Sequence, residues 1–147
     1  MEKGNLYKPI KAEVQEVITE SPTIKTFVLK PEKEFSFHTG QFIELVMDGI
    51  GEAPFTPSSS PFVTDKLDVT VMKTGYVTDK LHELKGGEVL GIRGPYGRGY
   101  PLEQLYDKEV LVVGGGCGFA PLRSLLYNLE AEQDKIKKVT FGYGSKN

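Results

Sequence analysis

A glycine-rich turn in the last third of the 147-residue chain has a spacing that suits a dinucleotide. The glycines are Gly114, Gly115, Gly116 and Gly118, and Pro121 follows them. Backbone N–H groups of such a turn, with the dipole of a following helix, can receive a pyrophosphate. Pro121 stands where the dehydrogenase fingerprint has its third glycine, and proline suits a first helical turn because its missing N–H would have no partner there. A purely structural turn is equally compatible with these residues alone.

Two segments upstream could contact a phosphorylated heterocycle. Gly75 precedes a predicted helix start, where Thr78 offers a hydroxyl as N-cap. In the segment 54–61, prolines favour an extended backbone that presents Phe55 and the hydroxyls of Thr and Ser residues together, which suits the edge of a planar ring. A helix cap and a surface loop are the plainer interpretations, and Gly94–Gly97 is predicted to be a tight turn.

Short strands must position most of these residues. Alternating and β-branched side chains predict strands over Lys11–Ile18, Thr23–Lys30, Gln41–Met47, Leu67–Met72 and Glu88–Ile92. Leu67, Val69 and Val71 are expected to share one face of their strand. Thr78–Leu84 is the one predicted helix in this stretch. Such close spacing between glycine and proline turns predicts an all-β Greek-key barrel.

The pattern changes after Pro101. Glu109–Val113 is an apolar run expected of a parallel strand covered on both faces, Pro121–Gln133 has helical spacing, and Val139–Tyr143 predicts a second strand. The sequence therefore predicts a barrel domain over 1–102 and an incomplete α/β nucleotide-binding domain over 108–147, beginning with a βαβ unit. Two strands and one helix leave apolar surface uncovered, so we expect a truncated chain or one completed by another subunit.

Composition excludes several classes of function. A net charge of -2 does not favour nucleic acid or an anionic membrane as partner. The most apolar run is short and interrupted, which predicts neither a signal peptide nor a membrane span, and we expect a cytoplasmic protein. Cys117 is the single cysteine, so any iron–sulfur cluster must belong to a partner, and a space-filling role is expected for its side chain. His38 and His82 are isolated, and no catalytic side chain or metal site is predicted.

Taken in order, these segments resemble the ferredoxin-NADP reductase superfamily over nearly the whole chain. The similarity is closest to electron-transfer subunits of cytoplasmic hydrogenases, anaerobic sulfite reductases and dihydroorotate dehydrogenases. The motifs that carry it are Gly40-Gln41-Phe42, Gly51-Glu52-Ala53-Pro54, Ser58-Ser59-Ser60-Pro61 and Arg93-Gly94-Pro95-Tyr96-Gly97.

This resemblance implies an FAD-binding barrel and a set of site residues. Phe55, Thr56, Pro57 and Ser58 would line the isoalloxazine ring, Val71, Met72 and Lys73 would flank the ribityl and phosphate groups, and Gly75, Val77 and Thr78 would hold the pyrophosphate. The nicotinamide dinucleotide would contact Gly114, Gly115, Gly116, Gly118 and Pro121. The redox chemistry would be that of the flavin.

One departure concerns the phosphates of the flavin nucleotide. The superfamily commonly has Arg-x-Tyr-Ser or Arg-x-Tyr-Thr where this chain has Ala53-Pro54-Phe55-Thr56, so the usual arginine is missing. Lys73 is a partial replacement, and FMN stays open beside FAD because a bidentate guanidinium is lost. Residues that distinguish NAD from NADP, and a cysteine cluster found in the subgroup, would lie beyond Asn147.

Two functions follow as hypotheses. In the first, the protein is an NAD(P)H-dependent flavin oxidoreductase subunit that passes single electrons to an iron–sulfur protein or to the catalytic subunit of a complex. In the second, the barrel is catalytically inactive and serves as a binding or assembly module. An ordinary dehydrogenase is disfavoured because the barrel precedes the βαβ unit.

Overall fold

The computed structural model describes residues 8–145, which form a six-stranded sheet, a two-stranded sheet and two α-helices. The first sheet contains β1 (Ile10–Ser21), β2 (Ile24–Pro31), β3 (Phe42–Met47), β4 (Gly51–Phe55), β5 (Leu67–Met72) and β6 (Val89–Tyr96). Helix α1 (Tyr76–His82) follows β5. The second sheet contains β7 (Glu109–Gly115) and β8 (Lys138–Gly144), joined by helix α2 (Phe119–Ala131).

The first sheet has the order β4-β3-β6-β1-β2-β5, and each neighbouring pair is antiparallel. Its two edge strands, β4 and β5, contact each other, so the sheet curls into a barrel. The predicted alternation in β5 is confirmed, because Leu67, Val69 and Val71 are all 0% exposed while Asp68 and Thr70 are only partly buried. The barrel core is mainly apolar, and burial of such surface is the main stabilising contribution to a small domain.

Three features of the barrel differ from the sequence prediction. Residues Gly51–Phe55 form strand β4, whereas prediction placed an extended segment from Pro54 onward; Pro54 is tolerated because β4 is an edge strand. Strand β6 continues to Tyr96, so Gly94 and Pro95 belong to a strand with a cis peptide bond rather than to a tight turn. Helix α1 begins after Gly75, and Thr78 lies within its first turn instead of capping it.

The βαβ unit is confirmed, with β7 and β8 paired in parallel and α2 packed on one face of β7. Val112, Leu125 and Leu129 form its small core. The opposite face is open: Leu111 and Val113 are each 67% exposed, which contradicts a strand covered on both faces. Helix α2 begins at Phe119, two residues before the predicted start, and Pro121 lies in its first turn as expected. None of the helices within residues 8–145 combines the length and apolar content needed to cross a bilayer.

Candidate functional site

A cleft of about 990 Å³ lies where the barrel meets the βαβ unit, and we call it the junction cleft. The barrel contributes the end of β1, the start of β2 and the end of β5, including Thr70 and Met72. The βαβ unit contributes the glycine-rich turn, the first residues of α2 and the end of β8. The volume is in the range of small-molecule and cofactor sites. Residues 8–145 hold no group of three His, Cys, Asp or Glu side chains placed to bind a metal ion.

The segment after β4 packs against β5. Ser58 N donates to Asp68 O over 2.9 Å, and Ser59 Oγ accepts from Asp68 N over 3.1 Å. Ser58 and Ser59 are 0% and 4% exposed, so their hydroxyls hold the segment to the barrel. The sequence had instead predicted that these hydroxyls are exposed together for a ligand. Pro57 is also buried, while Phe55 and Thr56 are partly exposed. This segment can therefore offer an aromatic ring, one hydroxyl and backbone groups to a ligand.

The three residues predicted to flank the ribityl chain have different surroundings. Val71 is fully buried in the barrel core, so only its backbone can reach a ligand, and its carbonyl already lies 2.9 Å from His82 Nε2. Met72 is 43% exposed and lines the junction cleft. Lys73 is exposed and forms no ion pair within residues 8–145, so its charge is available to a phosphate.

The turn before α1 is built around the Thr78 hydroxyl. Thr78 Oγ1 accepts from the backbone N–H groups of Thr74 and Gly75, over 2.8 and 2.9 Å, and donates to Gly75 O over 2.8 Å. The hydroxyl is therefore engaged within the protein, and the expected contact of Thr78 with a pyrophosphate stays a prediction. Space is open beside Gly75, where an added Cβ would meet nothing within 4 Å. Val77 packs against the barrel core.

The glycine-rich turn is tightly packed on one side and open on the other. A Cβ at Gly114 would lie 2.8 Å from Leu122 Cδ1 and 3.3 Å from Phe119 Cα, so this glycine permits the close approach of α2 to β7. Gly115 and Gly116 line the junction cleft, and a Cβ at Gly118 would meet nothing within 4 Å. The turn thus leaves backbone groups accessible from the cleft.

Cys117 also lines the junction cleft. Burial raises the pKa of its thiol, an effect opposed by a hydrogen bond with the backbone of Met72. The thiol is therefore protonated at neutral pH, which agrees with a space-filling role.

The structure adds two groups to the cleft that sequence reasoning missed. Arg123, on α2, donates through Nη2 to Asp68 Oδ2 over 3.0 Å. Glu20 Oε1, at the end of β1, accepts from Thr26 Oγ1 over 2.8 Å. The 1% exposed Thr26 lies 2.8 Å from the Thr70 hydroxyl, which in turn lies 3.1 Å from Ser58 Oγ. Strand alternation gave no signal for the Arg123–Asp68 contact, because these residues are 55 positions apart, whereas Glu20 and Thr26 lie on the paired strands β1 and β2.

The two segments predicted to grip a flavin lie on one side of the barrel. Strand β4 contacts both β5 and α1, and a Cβ at Gly51 would lie 3.4 Å from Val77 Cγ2. The segment after β4 is hydrogen bonded to β5, and β5 continues through Met72 into the turn before α1. An arrangement on opposite sides of the molecule is therefore excluded.

The fold is shared with reductases of known structure. The chain superposes on Amycolatopsis cytochrome P450 reductase with a TM-score of 0.83 at 24% identity, covering 95% of this chain and 44% of that one. It superposes on Plasmodium falciparum ferredoxin-NADP+ reductase with a TM-score of 0.81 at 19% identity. That match covers 97% of this chain and 61% of the reductase. Both comparisons define a ferredoxin reductase-like fold, as the sequence predicted.

Sequence comparison gives the family. Residues 9–100 match the model of the oxidoreductase FAD-binding domain, and the chain belongs to this family. It is 45% identical over 115 residues to a probable dihydroorotate dehydrogenase B electron transfer subunit of Methanocaldococcus jannaschii, covering 78% of this chain and 40% of the relative. It is 33% identical over 148 residues to the sulfhydrogenase 2 gamma subunit of Pyrococcus furiosus, covering 97% and 51%. The chain thus spans about half the length of these relatives.

Proposed function

We propose that this chain is the flavin-binding part of an electron-transfer flavoprotein subunit. FAD binds on the barrel, with its ring at the junction cleft and its phosphates toward the turn before α1. The observation that carries the proposal is the junction cleft itself, which brings Met72, at the end of β5, together with Gly115 and Gly116 of the second unit. A flavin and a nicotinamide must meet at such a junction for a hydride to pass between them.

Of the residues predicted to bind the flavin, Met72 lines the junction cleft, and Phe55 and Thr56 are partly exposed in the segment that is hydrogen bonded to β5. Met72 supplies an apolar contact, and Lys73 supplies a free cation close to the open space at Gly75. These are the partners that a heterocycle and its phosphates require.

The missing arginine weakens phosphate recognition without abolishing it. Arg93 does not replace it, because its guanidinium forms two hydrogen bonds with the Glu52 carboxylate. Lys73 is left as the cation beside the phosphate site. A single ammonium attracts phosphate as a point charge and lacks the two parallel hydrogen bonds of a guanidinium. We assign FAD as the flavin because the family is defined by FAD binding.

The proposal extends to the whole protein. The subunit accepts reducing equivalents from NAD(P)H and delivers single electrons to an iron–sulfur or catalytic subunit, as the names of the dihydroorotate dehydrogenase and sulfhydrogenase relatives suggest. Bound FAD supplies the conversion between two-electron and one-electron steps. The barrel domain spans 1–102 and the nucleotide-binding unit begins at 108, with Gly114, Gly115, Gly116, Gly118 and Pro121 facing the dinucleotide. A cytoplasmic location belongs to the proposal and fits the free thiol of Cys117.

Fluorescence titration of the chain with FAD and with FMN tests the proposal. We expect FAD to bind more tightly than FMN, and Lys73→Gln to weaken FAD roughly tenfold, or about 1.4 kcal/mol. Lys66→Gln is the matched control, because Lys66 is also an exposed lysine but precedes β5, at the opposite end of that strand from Lys73. Failure of the chain to take up either flavin at millimolar concentration would overturn the proposal. Equal weakening by both lysine variants would remove Lys73 from the site.

A further inference from the structure

A second cavity of about 660 Å³ shares no lining residue with the junction cleft. We call it the Thr39 pocket. Its walls come from the segment 36–39 before β3, from Pro61 and Phe62, and from the linker that starts at Arg98. Asn128 of α2 completes it, so the barrel and the βαβ unit both contribute. No residue predicted to bind flavin or dinucleotide lies in this lining.

Two buried polar side chains line the pocket. Thr39 is 1% exposed, and its Oγ1 has no hydrogen-bond partner within residues 8–145. Its backbone carbonyl is satisfied, since it accepts from Tyr100 N over 2.8 Å. Asn128 is 7% exposed. A buried hydroxyl without a partner destabilises a fold, and a ligand that hydrogen bonds to it would remove that cost.

Arg98 gives the lining a cation that can contact an anion. Arg98 is exposed and forms no ion pair within residues 8–145, unlike Arg93 and Arg123, which are paired with Glu52 and Asp68. His38 lies in the same lining, and Glu103 is the one carboxylate there. The planar guanidinium of Arg98 can donate two parallel hydrogen bonds, a geometry that suits the oxygens of a phosphate.

Aromatic side chains provide the apolar part of the lining. Phe62 is 61% exposed, and Tyr100 and Tyr106 line the same space. Aromatic faces of this kind can stack on planar rings such as nucleic-acid bases. The ligand should therefore combine a flat ring, a hydrogen-bonding edge and an anionic end.

We propose that the Thr39 pocket binds a nucleoside monophosphate. The aromatic residues contact the base, Thr39 and Asn128 hydrogen bond to its polar edge, and Arg98 with His38 contacts the phosphate. The pocket is separate from the flavin site and does not depend on flavin binding. It gives the protein a nucleotide site in addition to the flavin and dinucleotide sites proposed above.

Amide NMR of the ¹⁵N-labelled chain tests the proposal with AMP, adenosine and inorganic phosphate as probes. We expect AMP to shift the Asn128 side-chain amide signals and the backbone signals of Arg98 and Thr39. Adenosine and phosphate should each bind at least tenfold more weakly than AMP. Shifts confined to Gly115–Gly118 would place the nucleotide in the junction cleft instead and overturn the proposal. So would phosphate binding as tightly as AMP, or no shift at millimolar AMP.

Two variants separate binding from folding. Arg98→Gln changes an exposed side chain, so the fold is retained, and AMP affinity should fall roughly tenfold, while Lys66→Gln should leave it unchanged. Thr39→Val removes the unpaired hydroxyl at nearly constant volume. It should weaken AMP binding while the melting temperature of the free protein stays the same or rises. If both variants kept full AMP affinity, AMP would bind elsewhere on the chain and the proposal would be contradicted.

Discussion

Arg123 and Asp68 join the two structural units of the chain by an ion pair of 3.0 Å across the junction cleft. Asp68 also bonds through its backbone to Ser58 and Ser59, the segment predicted to border the flavin ring. Arg123 belongs to α2, the helix that begins at the glycine-rich turn. The pair therefore connects the proposed flavin segment directly to the proposed dinucleotide helix.

Breaking this pair should loosen the second unit. The side chains are 34% and 16% exposed, so the interaction is partly shielded from water and should contribute more than a surface pair. We expect a double-mutant cycle with Arg123→Gln and Asp68→Asn to give a coupling free energy of about 1–2 kcal/mol from denaturant unfolding.

The surface pair between Lys80 and Glu83 is the control for this cycle. It is an i,i+3 pair of solvent-exposed side chains, and its coupling should be smaller than that of Arg123 and Asp68 because water screens it. A coupling for Arg123 and Asp68 no larger than the control would show that the ion pair does not hold the two units together.

The strands with strong alternation were predictable, and the contacts between units were not. Leu67–Met72 was predicted with the bounds it has in the structure, because its apolar residues alternate without interruption. Strand β4 was missed because Gly51, Pro54 and the charged Glu52 give this edge strand no apolar alternation. The Arg123–Asp68 pair depends on tertiary packing between residues far apart in sequence, which no local pattern reports.

The two ends of the glycine-rich turn should respond oppositely to alanine. Gly114→Ala places a Cβ 2.8 Å from Leu122 Cδ1, and we expect a loss of about 1–2 kcal/mol in the free energy of unfolding. Gly118 has φ -64 with open space around it, so Gly118→Ala should be neutral or stabilise by about 0.4–1 kcal/mol. Denaturant unfolding of both variants measures this, and equal destabilisation would mean that the turn is packed differently.

Thiol reactivity should report the state of the junction cleft. Because burial raises the pKa of Cys117, its thiolate fraction at a given pH is smaller than in the unfolded chain. Alkylation by iodoacetamide should therefore be slower in the folded protein, and the rate should rise to its plateau at a higher pH than in guanidinium chloride. Added FAD should slow alkylation further, since Cys117 lines the cleft. If the pH midpoint of the alkylation rate were lower in the folded protein than in the unfolded chain, burial of the Cys117 thiol would be contradicted.

The most direct test of the flavin site uses the methyl groups of methionine. The chain has three methionines, of which Met72 lines the junction cleft and Met47 packs against the barrel core. With ¹³C-methyl methionine, FAD should shift the Met72 methyl signal strongly through the ring current, leave Met47 nearly unchanged, and give nuclear Overhauser contacts between Met72 and the flavin ring. An unshifted Met72 signal in a chain that has bound FAD would contradict a flavin ring at the junction of the two units.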